Sequence, residues 1–487
     1  MQVHVVLLRS SSAARPSHRS RREEDDAGGE ILRRRATDAG AGAGPGGVGN
    51  PDRRLTYDQA NPTISPPRRV SMMAISRHAW SATLAAALLA GGATLVAETA
   101  EHDWPQFRGP NRDGVSTETG LLDAWPEGGP KELWRRPLGE GYSAIAVVGD
   151  RLYTMYAGEH DGEAVEFAAA FAAGSGEELW RTVVGKKKDT EFGNGPRSTP
   201  TVDGDTVYVL GSFGDFAALA TADGEPRWRF KLTERFGSRV PHWGFSTSAL
   251  VDGELLILEG GGPEGKSYAA LDKRTGEVRW TFGDGPPEPG YNSPIRVEMN
   301  GEPRYVYVVG DKLNCIDDKG NEVWSHPWPR GETHAMPVFV PPNKIFASGA
   351  EGVGAMLVAV SENGGEATVE EVWKTRFMKN HFSSSVLHEG YIYGFDNATL
   401  KAISVADGET AWAKRGLGKG SLIYADGHLI VLSDRGKLLL LAATPEGYVE
   451  QGSVQALDGR CWTAPTLSRG RLYLRSQSEM VSYDLRG

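Results

Sequence analysis

Cysteine is nearly missing from this chain: there are two in 487 residues, Cys315 and Cys461. Two distant thiols exclude a disulfide framework and a CxxCH haem-attachment run. Long apolar runs are scarce as well. Only Ser81 to Ala97, SATLAAALLAGGATLVA, approaches one, and Gly91-Gly92 interrupts it, so it makes a poor transmembrane helix. The 3.6-residue apolar period of amphipathic helices is absent, which excludes a helical solenoid. Basic charge is in deficit. The net charge is −10, and residues 1–97 hold 13 Arg against 8 acidic residues, a surplus of five, so the remainder carries −15. An acidic body is a poor binder of phosphate backbones, and no nucleic acid partner is expected. Ser-His-Asp spacing, a phosphate loop and paired catalytic carboxylates do not stand out from the background, so no catalytic residue is assigned.

Glycine and tryptophan, by contrast, are plentiful at 62 and 13. They recur in a fixed sentence, best written at Tyr268 to Trp280, YAALDKRTGEVRW. Tyr268, Ala270 and Asp272 alternate with Ala269 and Leu271, the period of a strand. Thr275-Gly276 predicts a short turn of the three-residue, bulged type, and Val278 and Trp280 are expected on one face of the next strand. Copies end at Trp180, Trp228, Trp280, Trp324, Trp373 and Trp412, spaced by 48, 52, 44, 49 and 39 residues. A seventh, near Pro445 to Val449, has lost its Trp. Eight hairpins alternate with these copies, turning at Gly149-Asp150, Asp203-Gly204, Asp252-Gly253, Asn300-Gly301, Pro342-Asn343, Glu389-Gly390, Asp426-Gly427 and Arg469-Gly470.

The eighth copy is split between the two ends of the repeat region. Met480 to Leu485 matches the strand before the turn, and Lys131 to Arg135, with Trp134, matches the strand after it. The reading is an all-β, eight-bladed β-propeller whose last blade is closed by amino- and carboxy-terminal strands, which removes free sheet edges. The copies lack the GH and WD pairs of WD-type blades, and no linker divides them into two domains.

Four regions follow. Residues 1–71 are an Arg/Gly/Pro-rich disordered extension, read as lying upstream of a true start at Met72 or Met73. Residues 72–97 have the make-up of a signal peptide, with Leu95-Val96-Ala97 as a cleavage site. No Cys follows to carry a lipid anchor, so a periplasmic or secreted protein without a stable membrane span, and a monomer, is expected. Residues 101–130 form a lead-in segment, and 131–487 the propeller. Arg108 to Arg112 in the lead-in are expected to dock as a loop over the first blade.

The Trp closing each copy (Trp134, Trp180, Trp228, Trp280, Trp324, Trp373, Trp412) is read as a structural part, docking one blade on the next. Residues just ahead of each innermost strand should ring one mouth of the central channel. They are Tyr142, Arg197, His242 with Trp243, Tyr291 with Asn292, His334, Lys379 to Phe382 with His381, Lys419, and Arg460 to Trp462. Histidine, aromatic and basic side chains in that number point to a mouth for an acidic or carbohydrate-like ligand, against the plainer reading of a water-filled channel entrance. His242, His334 and His381 occupy comparable blade positions, but a ring of eight blades is expected to hold them too far apart for a metal. Asp317 to Asn321 resembles a calcium loop only superficially; at a turn position these are turn-forming residues. Cys315 reads as a core residue and Cys461 as an exposed thiol.

The copies of LDKRTGEVRW, together with the segment DWPQFRGPNRDGVS at Asp103 to Ser116, resemble the PQQ-like (pyrroloquinoline-quinone repeat) β-propeller family over residues 101–487. That family includes quinoprotein alcohol dehydrogenases and cofactor-free propellers such as the outer-membrane protein assembly factor BamB. The resemblance to quinoproteins implies PQQ with Ca²⁺ held by Glu, Asn and Asp beside adjacent cysteines. The adjacent cysteines are missing here, and about 48 residues per blade leave little for a cap. Binding or scaffolding of a protein or cell-envelope ligand, without enzymatic activity, is therefore the expectation. A PQQ-dependent alcohol or polyol dehydrogenase and a carbohydrate-binding propeller are the alternatives.

Overall fold

Short runs of Val, Ile, Leu, Tyr and Ala bounded by glycine turns can bury themselves only by stacking as sheets. The computed structural model describes residues 102–363 and 366–487. The extension 1–71 and the leader 72–97 lie outside these residues. Eight sheets, each built on four antiparallel strands, run in chain order around a ring. Blades 1 to 7 span 146–186, 201–231, 250–282, 295–327, 338–375, 386–415 and 421–455. Blade 8 joins 466–484 to its outermost strand Lys131–Pro137, with Trp134 opposite Ser482. Within each blade the first strand is innermost and the last outermost. The single helix among the described residues, α1 (Leu232–Phe236), is too short to cross a membrane.

The repeated sentence departs from its simplest reading in three ways. Tyr268, Ala269, Ala270 and Leu271 are all fully buried, because neighbouring blades cover both faces of the middle strands. The turn is longer than three residues: the strand ends at Asp272, whose carboxylate accepts from Arg274 N and Thr275 N, and pairing resumes at Val278. Gly276 sits at φ 73, which any larger residue would strain. A bulge at Arg279 then puts Val278 and Trp280 opposite Leu271 and Ala270, on opposite faces and not on one. The same one-residue bulge precedes the equivalent position in all eight blades.

That bulge turns each indole toward the next blade. Trp134, Trp180, Trp228, Trp280 and Trp373 lie on Gly176, Gly224, Gly276, Gly320 and Gly408, where an added Cβ would come within 2.5–3.0 Å of the ring. Five indole N–H groups donate across the interface at 2.8–3.0 Å, to the carbonyls of Ala173, Thr221, Asp318, Val405 and Thr444. In blade 7 the position of the missing Trp is held by Gly452, and Trp125 of the lead-in packs against it.

The rest of the lead-in does not cover blade 1. Its backbone crosses the end of the channel where the innermost strands finish, and its two arginines reach in to bare carbonyls just ahead of those strands. Arg108 donates to Ser384 O (3.1 Å) and Ser385 O (2.6 Å) of blade 6. Arg112 donates to Ser248 O and Ala249 O of blade 3, both at 2.9 Å. Val115 and Ser116 add a parallel strand to blade 7, Trp104 bridges to Val147 of blade 1, and Glu118 accepts from Arg469 N in blade 8. The segment is a plug. Cys461 is fully buried, and burial pushes its thiol up to about 12, so it is not an exposed thiol. Asp317 accepts from Lys319 N and Asn321 N as a plain turn cap.

The core also holds a carboxyl without a cation. Glu259 in blade 3 accepts from Gly290 N at 2.8 Å, while its second oxygen has no partner among the described residues; burial raises its pKa to about 8. A raised folded-state pKa means stability present below pH 4.5 and lost as pH rises through 8. Glu259→Gln should remove a decline of up to about 1.4 kcal/mol per pH unit across that window, read by urea unfolding at several pH values. At the blade interfaces, Trp134→Ala is expected to cost ~3–5 kcal/mol. Trp280→Ala, at a half-buried indole, should cost less than about 3. Equal denaturant midpoints for the two variants would contradict the docking assignment.

Candidate functional site

With one end plugged, the channel is a cup. It encloses about 560 Å³, and residues leading into all eight innermost strands line it. Phe107 and Arg108 of the plug contribute to the lining from below. The wall is built by a hydroxyl relay at the inner edge, where no further strand is available to pair. Ala144 N donates to Thr199 Oγ1, Thr199 N to Ser248 Oγ and Ser248 N to Ser293 Oγ, at 2.9–3.1 Å. Met336 N donates to Ser384 Oγ at 3.0 Å across blades 5 and 6. A hydroxyl just before proline, Thr199-Pro200 and Ser293-Pro294, was the available sequence signal for two of these four hydroxyls.

Above it the aromatic side chains form a closed circuit of seven rings. Trp243, Tyr291, His334, His381, Phe382, Trp462 and Phe192 follow one another with centroids 4.8–6.4 Å apart, and Phe192 returns to Trp243 at 5.9 Å. Tyr142 stacks on Trp462 at 5.6 Å and donates to Phe192 O at 2.5 Å. Phe192 comes from the loop between blades 1 and 2, with no repeat position to reveal it. Gly193 beside it has φ 116 and room for nothing larger, since a Cβ would meet Tyr142 Oη at 2.2 Å.

Arg197 lies under Tyr142, 5.3 Å from its ring, and donates to Gly195 O, Gly193 O and Thr190 Oγ1. Among the described residues it makes no ion pair with a carboxylate, and burial lowers its pKa. Lys419 lines the cup with no hydrogen-bond or ion-pair partner among the described residues. Glu332 and Glu351 are the carboxylates of the lining.

Two residues expected at the mouth do not line the cup itself. Asn292 is buried behind the wall, where its amide pairs with both backbone groups of Val308 and ties the approach to blade 4 onto the second strand. His242 is exposed on the rim; its Nε2 lies 2.9 Å from Glu191, which also accepts from Trp243 Nε1 at 3.0 Å. These two bonds hold the Glu191 carboxyl down at about 2. His334 and His381, expected too far apart for a shared ligand, have ring centroids 5.2 Å apart. They meet because they lead into adjacent blades, 5 and 6, whose approaches are tied together by Met336 N donating to Ser384 Oγ. Burial pushes the two imidazoles down, to about 3 and about 4, so both are neutral at physiological pH.

A family model described as outer membrane protein assembly factor BamB matches residues 164–414, more than half of the chain. The chain belongs to this family of PQQ-like propellers. Among solved structures, BamB from Moraxella catarrhalis is similar at 15% identity and TM-score 0.54, over 73% of this chain and 99% of that one. The quinohaemoprotein alcohol dehydrogenase of Comamonas testosteroni is similar at 13% identity and TM-score 0.53, over 81% and 82%. A computationally designed protein, Ika8, follows at 11% and 0.50, over 72% and 99%. At these identities the PQQ-like family shares the propeller and no more. No curated protein matches significantly.

Proposed function

We propose that this PQQ-like propeller is a non-enzymatic binding module of the cell envelope, periplasmic or secreted, that takes a segment of a partner protein into its cup. The closed aromatic circuit above a plugged floor carries this reading. It offers a desolvated, π-faced wall for an apolar or aromatic side chain, and Arg197 and Lys419 supply cations for a neighbouring carboxylate. The family's description as an assembly factor and the similarity to BamB support a protein ligand. The family's cofactor chemistry suits this cup poorly. The Cys315 and Cys461 thiols are buried in blade 4 and ahead of blade 8 and cannot form an adjacent pair. Calcium asks for six to eight oxygen ligands, whereas the lining carboxylates are Glu332 and Glu351 beside two imidazoles.

The test is a titration of the purified protein, followed by Trp fluorescence, with three probes: acidic peptides carrying one aromatic residue, PQQ with Ca²⁺, and oligosaccharides. Peptide binding is expected, weakened roughly 30-fold (about 2 kcal/mol) by Trp462→Ala and by Arg197→Met. Dye-linked alcohol oxidation with PQQ would establish the dehydrogenase reading instead. Saturable binding of oligosaccharides alone would establish the carbohydrate one.

A further inference from the structure

We propose that Glu332, His334 and His381 form a binding site for one divalent late first-row transition metal ion, of which zinc is the test case, in the wall of the cup. The site does not depend on what else the cup binds. One ligand atom from each of the three residues lies within 4.8 Å of the others. They come from two adjacent approaches: Glu332 and His334 lead into blade 5, and His381 leads into blade 6. Met336 N donating to Ser384 Oγ locks those approaches together at 3.0 Å.

A second observation points to a ligand. The Nδ1 atoms of both His334 and His381 are buried and have no hydrogen-bond partner among the described residues. The His334 side chain is 90% removed from solvent, being 10% exposed. Buried imidazole nitrogens are seldom left unpaired without a role. An aromatic stack alone would be served better by Phe, which brings no such cost. Two histidines in contact, each with an orphan nitrogen and with a carboxylate in reach, make a donor set rather than a packing pair.

The chemistry selects the class of ion. Two imidazoles and one carboxylate suit zinc and its neighbours; calcium and magnesium prefer oxygen. Glu332 Oε2 lies 3.9 Å from His334 Nε2, and tetrahedral bonds of about 2.1 Å place ligand atoms roughly 3.4 Å apart. Closing that pair by about half an ångström, and the whole set by up to about 1.4 Å, falls first to Glu332, whose side chain is 51% exposed. Lys419 opposes the ion, since it acts on both imidazoles, and at His381 Glu351 acts in the opposite sense as a second carboxylate. Three protein ligands leave a fourth position, which opens into the cup, the arrangement of a zinc site that exchanges a water or takes a ligand's own donor atom.

The full chain, stripped with a chelator and desalted, should be titrated with ZnCl₂ by calorimetry and with Co²⁺ by visible absorbance. One ion per chain is expected, with a Co²⁺ spectrum of low coordination number. His381→Gln and His334→Gln should each weaken binding at least about 100-fold, and Glu332→Gln about tenfold. His242→Ala, at the exposed pair with Glu191, should leave binding unchanged. Circular dichroism checks that each variant is folded. Absence of stoichiometric binding by the wild type overturns the proposal, as does full affinity in folded His381→Gln. Where a histidine variant fails to fold, Glu332→Gln decides, because its half-exposed carboxylate is not part of the core: an unaltered affinity and Co²⁺ spectrum there count against the site.

Discussion

Eight short strands facing a common axis each present one edge of peptide groups with no strand left to pair, and everything at the centre of this molecule answers that constraint. Buried backbone donors and acceptors must be satisfied, and a ring cannot add a ninth strand to every edge at once. The chain solves the problem twice. Between blades, hydroxyls of Thr199, Ser248, Ser293 and Ser384 accept from the neighbour's N–H. At one end, the lead-in delivers two guanidinium groups to the remaining carbonyls. Arg108 and Arg112 are almost wholly buried, and burial holds their pKa values at about 10 and about 9. They stay charged at neutral pH because each is wrapped by carbonyl dipoles in place of water. Opposite charges would have served less well, since a carboxylate there would have added its own desolvation cost.

The plug decides where function can be. A through-channel offers solvent on both sides and little discrimination; a floored cup excludes water from its lower wall and strengthens every polar contact made there. His334 and His381 are desolvated, the aromatic circuit closes above the floor, and Arg197 is held by carbonyls of its own approach loop, Gly193 O and Gly195 O. Lys419, a cation with no hydrogen-bond or ion-pair partner among the described residues, marks where a ligand's negative charge is best placed.

The outer half of each blade was legible because its signals are local and repeated. A glycine at positive φ, a bulge and an indole four residues later recur with the blade, so five copies establish the rule and the copy ending at Trp373 keeps it without the glycine. Split blade 8 is recognised from strand residues at both ends. The seventh copy shows how the rule bends: Gly452 stands where Trp is expected, and Trp125 arrives from more than 300 residues away to fill the gap. The inner half was only partly legible. Positions ahead of the inner strands identify Tyr142, Trp243 and Trp462, but not which of them meet. Asn292 turned inward because one amide can satisfy both groups of Val308, and His242 turned outward to Glu191. Arg108 acts on carbonyls 276 and 277 residues away, and no spacing in the chain announces that.

The two halves are separated by physics as well as by legibility. Indole-on-glycine docking at the outer strands sets the angle between blades, and a β-sheet blade is stiff enough to carry that angle to the inner loops. Side chains at the cup can then differ from blade to blade without cost to closure, which is why one ring of equivalent positions holds Tyr, Arg, Trp, His, Lys and a second Trp. The arrangement also explains why membership of a cofactor-named family says so little about this cup. The repeated residues that define the family lie in the outer half, and they are indifferent to what the inner half binds. Function in such a fold is read from the unrepeated residues, and here those are a closed circuit of seven rings with two imidazoles and a carboxylate set into it.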